Sequence, residues 1–583
     1  MRQMLHIVMT AMIGLLLVTG CGGSKGEKKA PTKEMIQKRK AAFEQKLQSA
    51  LSAGMEINAT TEGYRLKVKD GRAAARAMLK WIGIERMAAD QEPDLAILLQ
   101  DATAVLEVDW QKYASDAPES VYLYYAGNGR ESVKLQQILR EKKIGAYLSF
   151  DAKDRLSKAR LKDIDEKHAS QRGEMTLQLK GALFEITKQP ENDTQAPSYL
   201  IDGGQFFLQF DSNLSGRLSI SYQNPHCVTD RESRYLGKWQ SDLPQLHISN
   251  EGGTQEAFTV TLHEAQVAHT LATEQKKLAA EGHFKIGKVT LAGGAHGKSA
   301  KGEISNILLQ GKASDINESV IAAIYALYDT AQAPTEQMVR KSMVLLGDLF
   351  SGGMQISYLF SADSALLDTQ ARGKKTHFVL EGLQEKGELR YADRIDYQDT
   401  IGLKTVQLTQ EGRKLFGLYG VESHMALKGL YNIIPEVMRF SAKITENNRS
   451  KGLTPQDQQQ LSALSSRMVN TGFEMALSPV RIDGVEIPEI GVKYDAVELD
   501  LDARIKPNKV QMNNPLSSMM LLSYLAADGK LVLSRADLEK MAQQFPPQLL
   551  AMIMMYAKYE GDKAIFEMRF DNGHLMVNDK PVM

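Results

Sequence analysis

Ser351-Gly352-Gly353-Met354-Gln355-Ile356 closes one element of the chain and opens another. Upstream of it, Ser342, Leu345, Leu346, Leu349 and Phe350 recur at the spacing of one helix face. Downstream, apolar and polar residues alternate with the period of a half-buried strand. Glycine at the junction tolerates the left-handed conformation that ends a helix. The same junction occurs twice more. Ile36, Phe43, Leu47, Ala50 and Leu51 lead into Ala53-Gly54-Met55-Glu56-Ile57. A third helix, with Thr454 as N-cap, Pro455 in its first turn and Leu461, Leu464 and Met468 on one face, leads into Asn470-Thr471-Gly472-Phe473-Glu474-Met475. The recurrence points to a repeated unit, a helix followed by a strand meander.

Between these helices the chain is strand-like. Leu177, Leu179, Phe184 and Ile186, then Phe206 to Phe210, then Leu218 and Ile220 read as short strands broken by Gly181, Gly203-Gly204 and Gly216. Phe258 to Leu262, Lys288 to Leu291 and Ile401 to Leu408 continue the pattern. Strands this closely spaced, without a helix between each pair, imply antiparallel sheet. Val492, Tyr494 and Ala496 alternate, the phase slips at Val497, and alternation resumes at Leu499, Leu501, Ala503 and Ile505. A β-bulge produces such a slip, bending a strand while keeping one face apolar. Asn572-Gly573 is a two-residue hairpin signal that sets Phe570 opposite Leu575 and Met568 opposite Val577. The expected fold class is α+β: elongated, curved antiparallel β-sheets with repeated amphipathic helices packed on one side. The expected segments are an N-terminal α+β region over 34–150, a β-rich middle over 151–314 and a C-terminal α+β region with helix-plus-meander repeats over 315–583.

The 583 residues carry 71 Lys plus Arg and 71 Asp plus Glu, so no global field draws the chain to nucleic acid, and none is expected as a partner. The N-terminus has Arg2, an apolar run from Leu5 to Val18, and Val18-Thr19-Gly20-Cys21. The run is shorter than the roughly twenty residues a spanning helix needs and has signal-peptide length. Its end resembles the lipobox of bacterial lipoproteins. The resemblance implies cleavage between Gly20 and Cys21, removal of 1–20, and lipidation of the Cys21 sulfur, so that the membrane is reached through lipid. An ordinary cleaved signal with an incidental cysteine is the alternative. Gly22 to Lys33 is polar and aperiodic, as a flexible linker over 21–33 would be. Gly22 stands where inner-membrane retention signals carry aspartate, which favours the outer membrane, facing the periplasm. Cys227 is the remaining cysteine and is expected to be an unpaired structural thiol.

Motifs with chemical content are sparse. Ala292-Gly293-Gly294-Ala295-His296-Gly297-Lys298-Ser299 fits a loose phosphate loop, but Gly302 follows and no long amphipathic helix does, so a glycine-rich turn is expected. His263-Glu264 with His269 fails the zinc-protease spacing, because the required second histidine position is Val267. Asp528-Gly529 resembles half an EF-hand loop, yet Tyr524, Ala526 and Arg535 would stand at ligand positions, so it reads as a turn. Asp495, Glu498, Asp500 and Asp502 form an acidic stripe, expected to be a solvated face. Met519, Met520, Met552, Met554 and Met555 read as helix core, or as the lining of an adaptable apolar pocket. No nucleophile elbow, paired-cysteine site or dinucleotide fingerprint is present, so no catalytic residue, cofactor or metal is expected.

Leu525-Ala526-Ala527-Asp528-Gly529-Lys530-Leu531, together with Phe570 through Pro581, resembles the C-terminal part of the YdgA family of bacterial envelope proteins, whose function is unknown. Asp579 stands where glycine is usual in that family, and a lipobox replaces the usual uncleaved anchor. The helix-then-sheet units from about 344 to 506 are similar to it as well. The resemblance implies an envelope location and supplies no catalytic residues. The leading expectation is a lipid-anchored cell-envelope protein with a non-catalytic binding or scaffolding role in envelope maintenance, its partners being envelope proteins or lipids. The alternative is a lipid carrier with an apolar trough on its sheet. An unrecognised hydrolase, using carboxylates that folding brings together, is the third.

Overall fold

The computed structural model describes residues 31–81, 96, 99–117, 119–127, 141, 143, 145–150, 156–170, 173–181, 183–188, 198–212, 216–233, 236–251, 257–274, 277–295, 298–329, 335–447, 453–511, 516–542 and 553–582. Strands take 61% of the described residues and helices 24%. The 29 strands among them are joined in antiparallel ladders. The expectation of an α+β fold with helices packed on one side is therefore corrected to a strand-dominated antiparallel fold. The chain forms two compact units, residues 1–268 and 269–583.

In the first unit, the helix Lys33–Leu51 is capped by Thr32, whose hydroxyl accepts from the Met35 N–H, and it buries Phe43, Leu47 and Leu51. Phe43 meets Tyr113 edge-on at 5.0 Å, and Trp110 and Phe150 complete the ring cluster. Gly54 closes the helix through a close approach: a Cβ there would stand 2.2 Å from the Ala74 nitrogen. The strands Met55–Ala59 and Gly63–Val68 follow as a hairpin. Further along, Cys227 lies in the strand His226–Arg231 opposite Ile201 and Ser241, and its thiol is free. Burial pushes that thiol's pKa up, against hydrogen bonding from Trp239 and Ser241.

In the second unit the strands are long. Lys277–Ala295, Lys298–Ile316, Gln355–Ala371, Lys374–Tyr391, Arg394–Gln410, Arg413–Tyr431 and Phe473–Ile487 pair in that order. Val497–Ile505, Leu525–Ser534 and Lys563–Asp571 then continue the ladder. At one end the strands turn tightly, as where Ala371 pairs with Lys374 and Gln410 with Arg413. At the other end Ser314 pairs with Gln355, Arg394 with Tyr431, Phe473 with Ile505 and Ile505 with Leu525. The helices Glu318–Asp329, Glu336–Ser351, Ile434–Asn447, Pro455–Asn470 and Ser517–Leu522 are all inserted at that second end. A segment that leaves and re-enters an antiparallel sheet between neighbouring strands must gather at the shared strand ends, and these helices pack largely on one another. A Cβ on Gly347 would lie 3.1 Å from the Pro435 carbonyl oxygen, and Arg439 pairs with Asp348 at 2.7 Å. Gly353 and Gly472 sit at φ of 88° and 75°, the left-handed closure expected of them.

A crease crosses these strands. The ladder pairs Ile286 with Ile307 and Lys288 with Ser305, which leaves Gly287 facing Asn306 with no ladder bond between them. Continuing the registers sets Asn306 against Asp363, Asp363 against Gly382, Gly382 against Lys404, Lys404 against Gly420, and Gly420 against Asp483. Asn306, Gly382 and Gly420 are left-handed, at φ of 51°, 65° and 55°. Side chains close the row: the Asn306 amide donates to Asp363 at 2.7 Å, and Lys404 and Asp483 lie across the two glycines. The apolar phase slips by one residue at every station. Ile356, Tyr358, Phe360 and Ala362 precede Asp363, whereas Ala365 and Leu367 follow it; Thr376, Phe378 and Leu380 precede Gly382, whereas Leu383, Gly387 and Leu389 follow it. A bulge-like residue lets two successive side chains share a side, so the slip keeps one face apolar through the bend.

Candidate functional site

Directly paired residues of an antiparallel ladder point to the same face. One such row runs through Gly311, Tyr358, Gly387, Asp399, Met425, Leu477, Leu501, Gly529, Met568 and Val577. A second, on the same face, runs through Phe284, Leu309, Phe360, Glu385, Ile401, Ser423, Val480, Leu499, Leu531 and Phe566. Across the crease a third joins Leu291, Gly302, Leu367, Phe378, Leu408 and Phe416. This face is open. Leu309 is 48% exposed and Met425 43%, with Phe284, Leu291, Leu367, Ile401 and Leu501 above a third. Just beyond the first row, Met475 is 46% exposed. Single exposed apolar residues need no explanation, but contiguous rows of them mark a binding surface.

The only charged side chains in the three rows are Glu385 and Asp399, and one group ties them together. Tyr358 lies flat over Gly387, where a Cβ would meet its ring at 2.4 Å. Its hydroxyl thereby reaches Glu385 at 3.2 Å, Asp399 at 3.3 Å and the Tyr397 hydroxyl at 3.1 Å. Burial, then Tyr397 and the carboxylates, push the Tyr358 pKa far above that of an ordinary phenol. The carboxylate pair contemplated for a hydrolase is thus brought together, but it is screened by a protonated phenol and Asp399 is buried. Among the described residues no group of three His, Cys, Asp or Glu could hold a metal.

At the helical end of the strands, Phe350 places its ring edge-on to Tyr391 at 4.9 Å. Tyr391 shares the alternation of Leu389 and Gly387 and so belongs to the apolar face. The helix that ends near Phe350 also lines a cavity of about 790 Å³, walled by Leu327, Val344, Leu345 and Ala442 and bordered by Arg340, Lys341, Arg439 and Lys443.

The other sequence candidates separate. Cys21 and Gly20, with the whole signal and linker segment as far as residue 30, lie outside the described residues, as do Met552, His296 and Gly297. Ala292 to Ala295 end one strand and Lys298-Ser299 begin its hairpin partner, with Gly294 opposite Ser299, so no helix N-terminus is present to hold a phosphate. His263, Glu264 and His269 all fall in the strand Ala257–Glu274. Asp528-Gly529, expected as a turn, lies mid-strand, where the Met568 and Leu501 side chains reach over Gly529. Glu498, Asp500 and Asp502 occupy the strand face opposite the apolar rows, and Asp495 instead donates its N–H to Asp537. Met519 and Met555 are not core, being 68% and 56% exposed. The apolar rows themselves escaped sequence reading, although the phase slip at Val497 was one visible sign of them.

No family model, curated protein or solved structure matches the chain. Among the described residues, no helix is long and apolar enough to cross a membrane.

Proposed function

We propose that this chain is a carrier of lipophilic molecules that holds acyl chains along the open apolar face of residues 269–583. The observation that carries the reading is the pair of rows through Leu309 and Met425, apolar over many strands, with Phe284, Leu309, Ile401, Met425 and Leu501 each more than a third exposed. Side chains of this size gain about 1.5–3 kcal/mol each on full burial, so uncovered rows favour an apolar occupant over bare water. An acyl chain contributes about 0.8 kcal/mol per buried CH₂ and requires no hydrogen-bond partners, which suits a face that offers few. The open face favours carriage over scaffolding, because it needs a cover along its length. The lipobox-like segment supports the further proposal that Cys21 anchors the carrier in a bacterial envelope, in the outer membrane facing the periplasm.

The test is lipid retention. Protein purified from cells and extracted with organic solvent is expected to release lipid in near-stoichiometric amounts, and to speed transfer of a fluorescent phospholipid between vesicles. Leu309→Glu with Met425→Glu places two carboxylates in the rows and is expected to cut both signals at least about tenfold, since each charge resists burial under an alkyl chain. A parent protein that carries no lipid above background and moves none would overturn the proposal.

A further inference from the structure

We propose that the short helix Ser517–Leu522, with Leu516 before it, is a tip that dips into a lipid bilayer and brings the end of the apolar face to its lipids. The inference rests on the carrier reading and names where the cargo enters. Leu516, Met519, Met520 and Leu522 are 57%, 68%, 45% and 48% exposed. Large apolar side chains this close together form a patch, unlike the scattered ones that any surface carries. From Gln511 to Ala527 the sequence holds no charged residue. The polar groups of the tip are bonded among themselves. The Ser517 hydroxyl donates to the Gln511 carbonyl at 2.6 Å and the Ser523 hydroxyl to the Met520 carbonyl at 2.7 Å. The Met520 and Tyr524 N–H groups donate to the carbonyls of Leu516 and Leu521 at 3.0 and 2.9 Å. Hydrocarbon penalises unpaired donors and acceptors, so internal bonding of this kind suits a segment that enters it.

Continuity with the face and the size of the patch select the occupant. Leu522 stands at most about 10 Å of chain before Leu525, which opens the strand Leu525–Ser534. Leu525 pairs with Ile505 and Ile505 with Phe473, so these form the last row of the apolar face at the helical end. The next residue of that face after Phe473 is Met475, which leads on toward Met425 and Leu501. An alkyl chain leaving a bilayer at the tip therefore meets the end of the rows next. The helix is about 9 Å long, enough to enter one leaflet and far short of the roughly 30 Å hydrocarbon core. A stable protein partner needs about 20–30 residues a side, which this patch does not supply, whereas a bilayer takes up apolar side chains singly. With no cation in the stretch, docking depends on apolar burial and not on headgroup charge.

The experiment places the purified full chain on phosphatidylcholine vesicles with or without bromine on the acyl chains. Met520→Trp adds an indole at the tip, and Lys374→Trp adds one at the opposite, tight-turn end of the strands, where Lys374 is exposed. The parent, whose three tryptophans all precede residue 269, supplies the background. Bromine is expected to quench the added indole at position 520 at least about threefold more than the one at 374, at low and high salt alike, since an apolar tip sits about 5–10 Å into the interface. In the Met520→Trp chain, Met519→Asp with Leu522→Asp is expected to abolish that quenching and to slow lipid transfer between vesicles about tenfold, because a carboxylate resists entry into hydrocarbon. Unfolding curves check the fold, and Met519→Ser with Leu522→Ser repeats the test with a milder change. Equal quenching at 520 and 374 in a chain that transfers lipid overturns the tip and leaves the carrier reading standing. Quenching at 520 in a chain that neither holds nor moves lipid overturns the carrier reading and the entry route with it. An indole at 520 that is already shielded without vesicles also overturns the tip: shielding that grows with protein concentration makes the helix a contact between copies, and shielding independent of concentration makes it a site covered by another part of the chain.

Discussion

At the scale of single residues, the carboxylate of Asp537 shows how the end of the sheet is latched. It is 1% exposed, accepts the Asp495 N–H at 2.6 Å and pairs with Lys540 at 2.9 Å. Burial alone would raise its pKa, but Lys540, the Asp495 N–H and Ser534 together hold it below the ordinary 3.8. A folded-state pKa below the unfolded one contributes stability that is fully present above the unfolded value and is lost as pH falls through the folded one. Asp537→Asn is therefore expected to cost about 1–2 kcal/mol at neutral pH, the difference between a charge-assisted and a neutral hydrogen-bond set. The gap to the parent should close as pH drops from 3.8 downward. Urea titrations at several pH values check it; a gap of the same size at pH 7 and pH 3 would refute the latch. The sequence offered Asp495 only as part of an acidic stripe. Its partner lies 42 residues away and no local pattern connects them.

At the scale of elements, the crease explains why long strands read as short ones. Strands of 17 to 19 residues such as Gln355–Ala371 and Lys374–Tyr391 have their alternation interrupted by one phase slip, so a period-two reading ends each strand early. Ile401 to Leu408 was legible as strand, yet it straddles the slip at Lys404 and represents less than half of Arg394–Gln410. The slip at Val497 was legible because Ala496 and Val497 are both apolar. At Gly382 and Gly420 the same device is written as glycine beside Lys404 and Asp483, which looks like an ordinary break. The conformational demand there is testable. Gly420 has φ 55° and a Cβ would stand 2.0 Å from the Asp483 carboxylate, whereas Gly412 has φ 75° in open space and Gly402 has neither constraint. Gly412→Ala is expected to cost about 1–2 kcal/mol from the left-handed conformation alone. Gly420→Ala should cost more than that, and Gly402→Ala should be neutral or stabilising by about 0.5 kcal/mol. Equal costs at 412 and 420 in denaturant melts would show that the crease tolerates a side chain.

At the scale of the whole molecule, the two units divide stability from proposed function. The three junctions gave the helix and strand boundaries well, and the hairpin at Asn572-Gly573 pairs Phe570 with Leu575 and Met568 with Val577 as its sequence implies. What the junctions could not convey is that five of the described helices of residues 269–583 collect at one end of the strands, with Arg535–Ala542 at the other: amphipathic spacing reports that a helix has a buried side and is silent about what covers it. The unit of residues 1–268 holds the most deeply buried core, including Leu47, Leu106 and Leu148 at 0% exposure. The unit of residues 269–583 leaves the part of its apolar rows through Leu309, Ile401, Met425 and Leu501 uncovered, while Phe566 and Val577 at the far end are buried. A substitution in each should therefore move a different observable. Leu47→Ala removes a fully buried side chain and is expected to cost about 2–5 kcal/mol, visible as faster amide exchange confined to residues 1–268, with lipid loading unchanged. Leu309→Glu alters a side chain already 48% exposed, so its unfolding midpoint should stay within about 0.5 kcal/mol of the parent while lipid loading falls. Because an exposed position has little packing to lose, a large stability loss in Leu309→Glu would mean that the face is covered in solution by part of the chain itself, and the carrier reading would fail with it.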